Sequence, residues 1–192
     1  MKARGPTWLL LALLSLAALP LGACSKRESD DCGPSERVVD PVLLAFLSQA
    51  RSAHHLADER EAKDDVAGAL RALQTLTENA KPPGDAPEVD EVLADTRARI
   101  ADLMSRSGRF DQAEEEIDAG LENAKAPSYF RGHLFEVRGQ IEERRVKALR
   151  GTGRGQEADQ ARDRSLGAYE EAMKIQAEVI RAAAPAGSAS PK

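Results

Sequence analysis

The sequence predicts an all-α fold of stacked antiparallel helical hairpins, about three units with the last one extended. Three observations predict it. Val89, Val92, Leu93, Thr96, Ile100, Leu103 and Met104 recur at three- and four-residue spacing, the run breaks at Ser107-Gly108-Arg109, and Ala113, Ile117, Gly120 and Leu121 resume it. Aromatics make up only 4% of the residues and β-branched runs are few, so little in the chain favours a sheet. Breaks rich in proline or glycine at 81–87, 126–128 and 151–155 divide the helical stretches from one another.

The order Gly108, Phe110, Ala113, Ile117, Gly120, Leu121 resembles the tetratricopeptide repeat, with glycine at the turn, an aromatic after it, and small residues where two helices touch. The resemblance implies a binding scaffold and does not name the ligand. Upstream, Val66, Ala69, Leu73 and Leu76 align with Phe110, Ala113, Ile117 and Gly120, and Asp64 stands where the turn glycine would be. That makes the first hairpin a degenerate copy.

In chain order, helical structure begins at Asp40-Pro41, an N-cap aspartate followed by proline at the first helical position. Val42, Leu43, Phe46, Leu47, Ala50, Ala53 and Ala57 carry this helix to about Ala62, and Asp64 and Asp65 offer a cap for the stripe Val66, Ala69, Leu70, Leu73, Leu76. The link Lys81 to Pro87 (KPPGDAP) cannot continue a helix and stretches the spacing beyond a usual repeat. After the central hairpin, Ala126-Pro127-Ser128 ends one helix and caps the next. Phe130, Leu134, Val137, Ile141, Ala148 and Leu149 run on towards Arg150. The loop Gly151 to Gly155 returns the chain into a last helix that reaches about Ala183, leaving Ala184 to Lys192 as a low-complexity tail. Two registers are open for this third unit: Gly153-Arg154 to Ala158 echoes Gly108-Arg109 to Ala113, whereas Tyr169 to Met173 looks like the end of a repeat's second helix. The helical domain is thus expected over residues 40–183.

The N-terminus speaks to compartment. Lys2 and Arg4 form a basic flank, Trp8 to Leu19 an apolar run too short for a permanent span, and Pro20 ends it. Leu21-Gly22-Ala23-Cys24 then resembles the lipobox of bacterial lipoproteins. That resemblance implies a signal peptide over 1–23, removed before Cys24, and a diacylglyceryl and acyl anchor on Cys24. At about 0.8 kcal/mol per buried methylene, several acyl chains hold far better than one. In a host with two membranes, Ser25 in place of aspartate resembles the signal for outer-membrane sorting, which would leave the domain facing the periplasm. The other reading is an ordinary secreted protein. Residues 24–39 are polar and charged around Gly33-Pro34, the composition of a flexible tether. Cys32 has no second cysteine in the mature chain, so it is either an incidental thiol or a point of intermolecular pairing.

Composition narrows the chemistry. The formal charge of −5 becomes −7 once Lys2 and Arg4 leave with the leader, and no basic stripe stands out, which disfavours nucleic acid as a partner. His54 and His55 are adjacent, so on a helix they point about 100° apart, and no acid or cysteine completes a metal motif. His133 is isolated, and Gly151, Gly153 and Gly155 lack the lysine and hydroxyl of a phosphate loop. Asp111-x-x-Glu114 fits a capping box, and Asp95/Arg99, Glu143/Lys147 and Glu170/Lys174 fit i,i+4 pairs worth about 0.2–0.5 kcal/mol each. No nucleophile carries a motif. Neither an enzyme, a metal site nor a cofactor is expected.

In tetratricopeptide proteins the first helix of each hairpin lines a concave groove. The resemblance therefore implies groove positions at Asp95, Ala98, Asp102, Ser105 and Arg106, and in the degenerate copy at Arg51, His54, Asp58 and Glu61. This surface is polar, mixed in sign and mildly acidic, which suits a peptide or basic segment, though a plain solvated face has the same composition. Two functions follow: a non-catalytic, membrane-anchored adaptor for a protein or peptide of the envelope, or a structural bundle that self-associates through the last hairpin. The second draws on Tyr169, Ala172, Met173, Ile175, Gln176, Val179 and Ile180, which wrap more than one helix face. Likeness to lipoproteins of outer-membrane assembly or secretion is architectural only.

Overall fold

A computed structural model describes residues 40–184. The residues expected to form a signal peptide, a lipidated Cys24 and a tether with Cys32, and those of the expected tail from residue 185, lie outside these residues. The described residues form six helices and no strand: α1 (Pro41–Glu61), α2 (Val66–Glu78), α3 (Pro87–Arg106), α4 (Phe110–Asn123), α5 (Tyr129–Gly151) and α6 (Gly155–Ala183). Consecutive helices pair as the hairpins α1–α2, α3–α4 and α5–α6. The hairpins stack so that α3 packs on α1 and α2, and α5 on α3 and α4.

The helix starts have local causes. Asp40 accepts from the Val42 amide at 2.8 Å with Pro41 behind it, and Ser128 Oγ accepts from the Arg131 amide at 3.1 Å. Asp65 accepts from the Gly68 amide at 2.8 Å. That backbone bond, with help from Arg60, holds its carboxyl below the ordinary aspartate range. At α4 the expected capping box does not form. Arg109 is the N-cap without a side-chain bond, and Glu114 instead meets Arg138 of α5 at 3.0 Å.

The three hairpin turns are the same turn. Asp64, Gly108 and Gly153 have φ of 58°, 75° and 77°, each just past the first helix of its hairpin. In each, the following amide reaches back five residues, from Asp65 to the Arg60 carbonyl, from Arg109 to Met104 and from Arg154 to Leu149. This is a Schellman closure, and its last residue doubles as the N-cap of the next helix. Of the two registers open in the sequence for the third unit, the structure has the one that turns at Gly153-Arg154. The turn residues lie 44 and 45 apart, so the proline-rich link and the Ala124–Ser128 connection give nearly one period.

Small residues govern how closely the helices approach. Ala57, Ala69, Ala94, Ala98, Ala101 and Ala113 are fully buried among Leu73, Ile100, Leu103, Ile117, Leu134 and Ile141. In the last hairpin Ala158, Ala161, Ser165, Ala168 and Ala172 form one buried stripe on α6. Gly139 of α5 lies under the Tyr169 ring, where an added Cβ would come within 2.7 Å of ring carbon, and Ser165 Oγ donates to the Gly139 carbonyl at 3.0 Å. Tyr169, Ala172 and Ile175 therefore face α5, while Met173 and Ile180 remain exposed.

The turns generate a stability test. Gly108→Ala puts a Cβ into the left-handed region and should cost about 1 kcal/mol in urea unfolding, whereas Asp64→Gly relieves the same conformation and should cost nothing or stabilise by a few tenths. Equal losses from both would mean that the turns are not equivalent.

Candidate functional site

The first helices of the three hairpins line one open cleft of about 570 Å³. α1 contributes His54, Asp58 and Glu61; α3 contributes Asp95, Ala98, Arg99, Asp102 and Arg106; α5 contributes His133, Val137, Gln140 and Arg144. Seven of the nine positions expected from the sequence are in this lining. Ser105 sits beneath it, 2% exposed, and Arg51 is exposed on α1 away from the cleft.

A ladder of alternating charge runs along the floor. Arg99 Nη2 lies 2.5 Å from Asp58 Oδ1 and 2.6 Å from Glu61 Oε1, and Glu61 Oε2 accepts from Arg106 at 3.1 Å. Arg106 also pairs with Asp102, and Asp102 Oδ1 lies 2.7 Å from Arg144 Nη2. Arg144 Nη1 donates to Ser105 Oγ at 2.7 Å. Burial disfavours the Arg99 guanidinium, yet its bonds to Glu61 and Asp58 outweigh this and raise its pKa. Part-exposed pairs of this kind contribute about 0–1 kcal/mol each, so the ladder's main effect is to fix how α1, α3 and α5 sit beside one another.

This arrangement replaces a sequence expectation. Arg99 pairs across the hairpins with α1 rather than along its own helix with Asp95, and Lys174 pairs with Glu171 at 3.2 Å rather than with Glu170. Arg99, His133, Val137, Gln140 and Arg144 were not among the expected groove residues. The signal that finds one of them is the period: Gln140 is 45 residues after Asp95.

His54 is held beside the ladder through both ring nitrogens. Its Nε2 is 3.0 Å from Thr96 Oγ1, whose hydroxyl donates to the Val92 carbonyl at 2.7 Å, and Arg99 Nη1 lies 3.4 Å from Nδ1. These partners place the proton on Nε2. Burial lowers its pKa below 6.5, and Arg99 adds to this against the opposing pull of Asp95 and Asp58. His133 stacks on Tyr129, with ring centroids 5.9 Å apart, and its Nδ1 is 3.3 Å from Glu136.

With its arginines held by carboxylates, the cleft offers four carboxylates to three guanidinium groups. Asp95 lines it outside the ladder, near His54. The chemistry available is capture of a cationic or hydrogen-bonding group. Among the described residues no group of three His, Cys, Asp or Glu could hold a metal ion, and no helix is long and apolar enough to cross a membrane.

A pH test follows from His54. Because its folded pKa lies below the unfolded value, the unfolded chain takes up the proton first, and stability is lost as pH falls below about 6.5. His54→Gln should flatten the fall in denaturation midpoint between about pH 7 and 5.5 relative to the parent chain; parallel curves would show that His54 is not held neutral.

Compared with known protein families, with curated proteins and with solved structures, the chain matches none.

Proposed function

We propose that this chain is a non-catalytic, lipid-anchored adaptor of the bacterial cell envelope that holds a partner peptide or protein segment in its concave cleft. The observation that carries the reading is that every residue lining this cleft comes from a first helix, α1, α3 or α5. That is the surface the tetratricopeptide likeness assigns to ligands. Three identical turns with small residues behind them support the same likeness. The anchor rests on Leu21-Gly22-Ala23-Cys24, and Ser25 favours the periplasmic face of an outer membrane. The cleft's acidic balance favours a basic segment over nucleic acid. No cofactor enters this role.

The second reading is a structural bundle that self-associates through the last hairpin. The exposure of Leu166, Met173 and Ile180 favours it, at 53%, 62% and 71%. A monomeric mass in solution would set it aside.

Two experiments test the adaptor. Cys24→Ala should move the chain from the membrane fraction to the soluble fraction and abolish labelling by a palmitate analogue. In-cell cross-linking with mass spectrometry should then recover discrete envelope partners for the parent chain and lose them for Asp95→Lys, since the Asp95 carboxylate is paired with none of the ladder's arginines. Partners that survive Asp95→Lys would move the binding surface away from the cleft.

A further inference from the structure

Each hairpin but the last serves as a seat for the first helix of the next, and the common period makes the seats comparable row by row. Ala57 in the first hairpin and Ala101 in the second are both fully buried, as are Leu73 and Ile117. Asp58 receives Arg99 at 2.5 Å, and Asp102 receives Arg144 at 2.7 Å. Leu121 packs against the core cluster that includes Leu134 and Val137 of α5.

In the third hairpin these rows are Val146, Arg162, Lys147 and Leu166. All four line an open cleft of about 520 Å³ between α5 and α6. The cleft is thus the register equivalent of the positions occupied by α3 and α5, with nothing of the described chain in it. Leu166, the counterpart of Leu121, is 53% exposed, and Met173 and Ile180 continue its stripe at seven-residue spacing. Terminal repeats normally turn a polar face outwards. This one leaves an apolar line uncovered.

The charge in the seat is inverted. Where the first two hairpins offer Asp58 and Asp102 to an incoming arginine, the third offers Lys147, and where they have Glu61 and Ser105 it has Arg150. Glu143 is the one acid in the lining. On the α6 side the rows of Glu114 and Asp118, which hold Arg138 in the second seat, remain acidic as Asp159 and Asp163, with Asp159 3.9 Å from Arg150. A second copy of this chain is a poor occupant. Its α1 would bring His55, the counterpart of Arg99 and Arg144, against Lys147 without a carboxylate.

We propose that the α5–α6 end face is a docking seat for one amphipathic helix of a partner protein. That helix carries a carboxylate in the row of Arg144 and a cation in the row of Arg138, and its apolar face covers Val146, Leu166 and Met173. The seat is separate from the concave cleft and does not depend on the role given to that cleft.

The probe is the helix that fills the preceding seat. A synthetic peptide of residues 129–151, held helical by a lactam bridge, is made with the native sequence and with R144E. Binding to the full chain is read by fluorescence anisotropy. The R144E peptide should bind at least about ten-fold tighter than the native one, K147E in the full chain should reverse that order, and L166E should weaken both. Asp95→Lys should change nothing. The proposal is overturned if neither peptide binds, if K147E leaves the preference unmoved, or if Asp95→Lys abolishes binding, which would put the peptide in the concave cleft. It is equally overturned if the full chain is a dimer that L166E dissociates, since the seat would then belong to a second copy.

Discussion

The rows of contacts depend on three turns closing in one way. A left-handed residue followed by an N-cap fixes not only where α2, α4 and α6 begin but also their phase about the helix axis. With the phase fixed, Ala69, Ala113 and Ala158 all arrive at the same buried place against the preceding helix. Because the connections between hairpins hold the period at 44 and 45 residues, each first helix meets the preceding hairpin in one register. Asp58 meeting Arg99 and Asp102 meeting Arg144 are consequences of that register, not independent inventions of each interface.

Much of this could be read in the chain. Asp40-Pro41 and Ser128 mark helix starts by a local mechanism, and the alignment of Asp64 with Gly108 placed the first turn although aspartate rarely adopts φ > 0. The groove residues of α1 and α3 came from that same alignment. Those of α5 do not follow from it, because Tyr169 to Met173 offers a second register, which the turn at Gly153-Arg154 removes. Charged pairs were the least legible part. Spacing along one helix suggests only partners on that helix, so Arg99 was matched with Asp95, while the stacked hairpin supplies Asp58 and Glu61. The same limit applies to Glu114, whose expected capping role gives way to Arg138, and whose carboxyl burial pushes up in pKa against that arginine's pull.

The stack places its arginines and carboxylates unevenly. Incoming first helices bring the cations, Arg99 to the first seat and Arg138, Arg144 and Arg145 to the second, and the receiving hairpins bring the anions. Each pair is part-exposed and individually weak. A consistent polarity nevertheless disfavours any hairpin packing backwards, where cation would meet cation. In a chain whose interfaces are largely alanine and leucine, such polarity supplies direction that apolar contacts alone do not.

Seen this way, the sign change at Lys147 matters more than the apolar stripe beside it. A stack that simply ended would need only to replace Leu166, Met173 and Ile180 with polar residues. A stack that continued with its own kind would keep an acid in the row of Asp58 and Asp102. The third hairpin does neither: it keeps Leu166 in the row of Leu121, keeps the acids at Asp159 and Asp163, and turns the rows of Asp102, Ser105 and Ile117 basic as Lys147, Arg150 and Arg162. Basic residues in these rows disfavour the helices of this chain while Val146 and Leu166 stay in the rows of Ala101 and Leu121, which is how one surface is made specific for a different occupant.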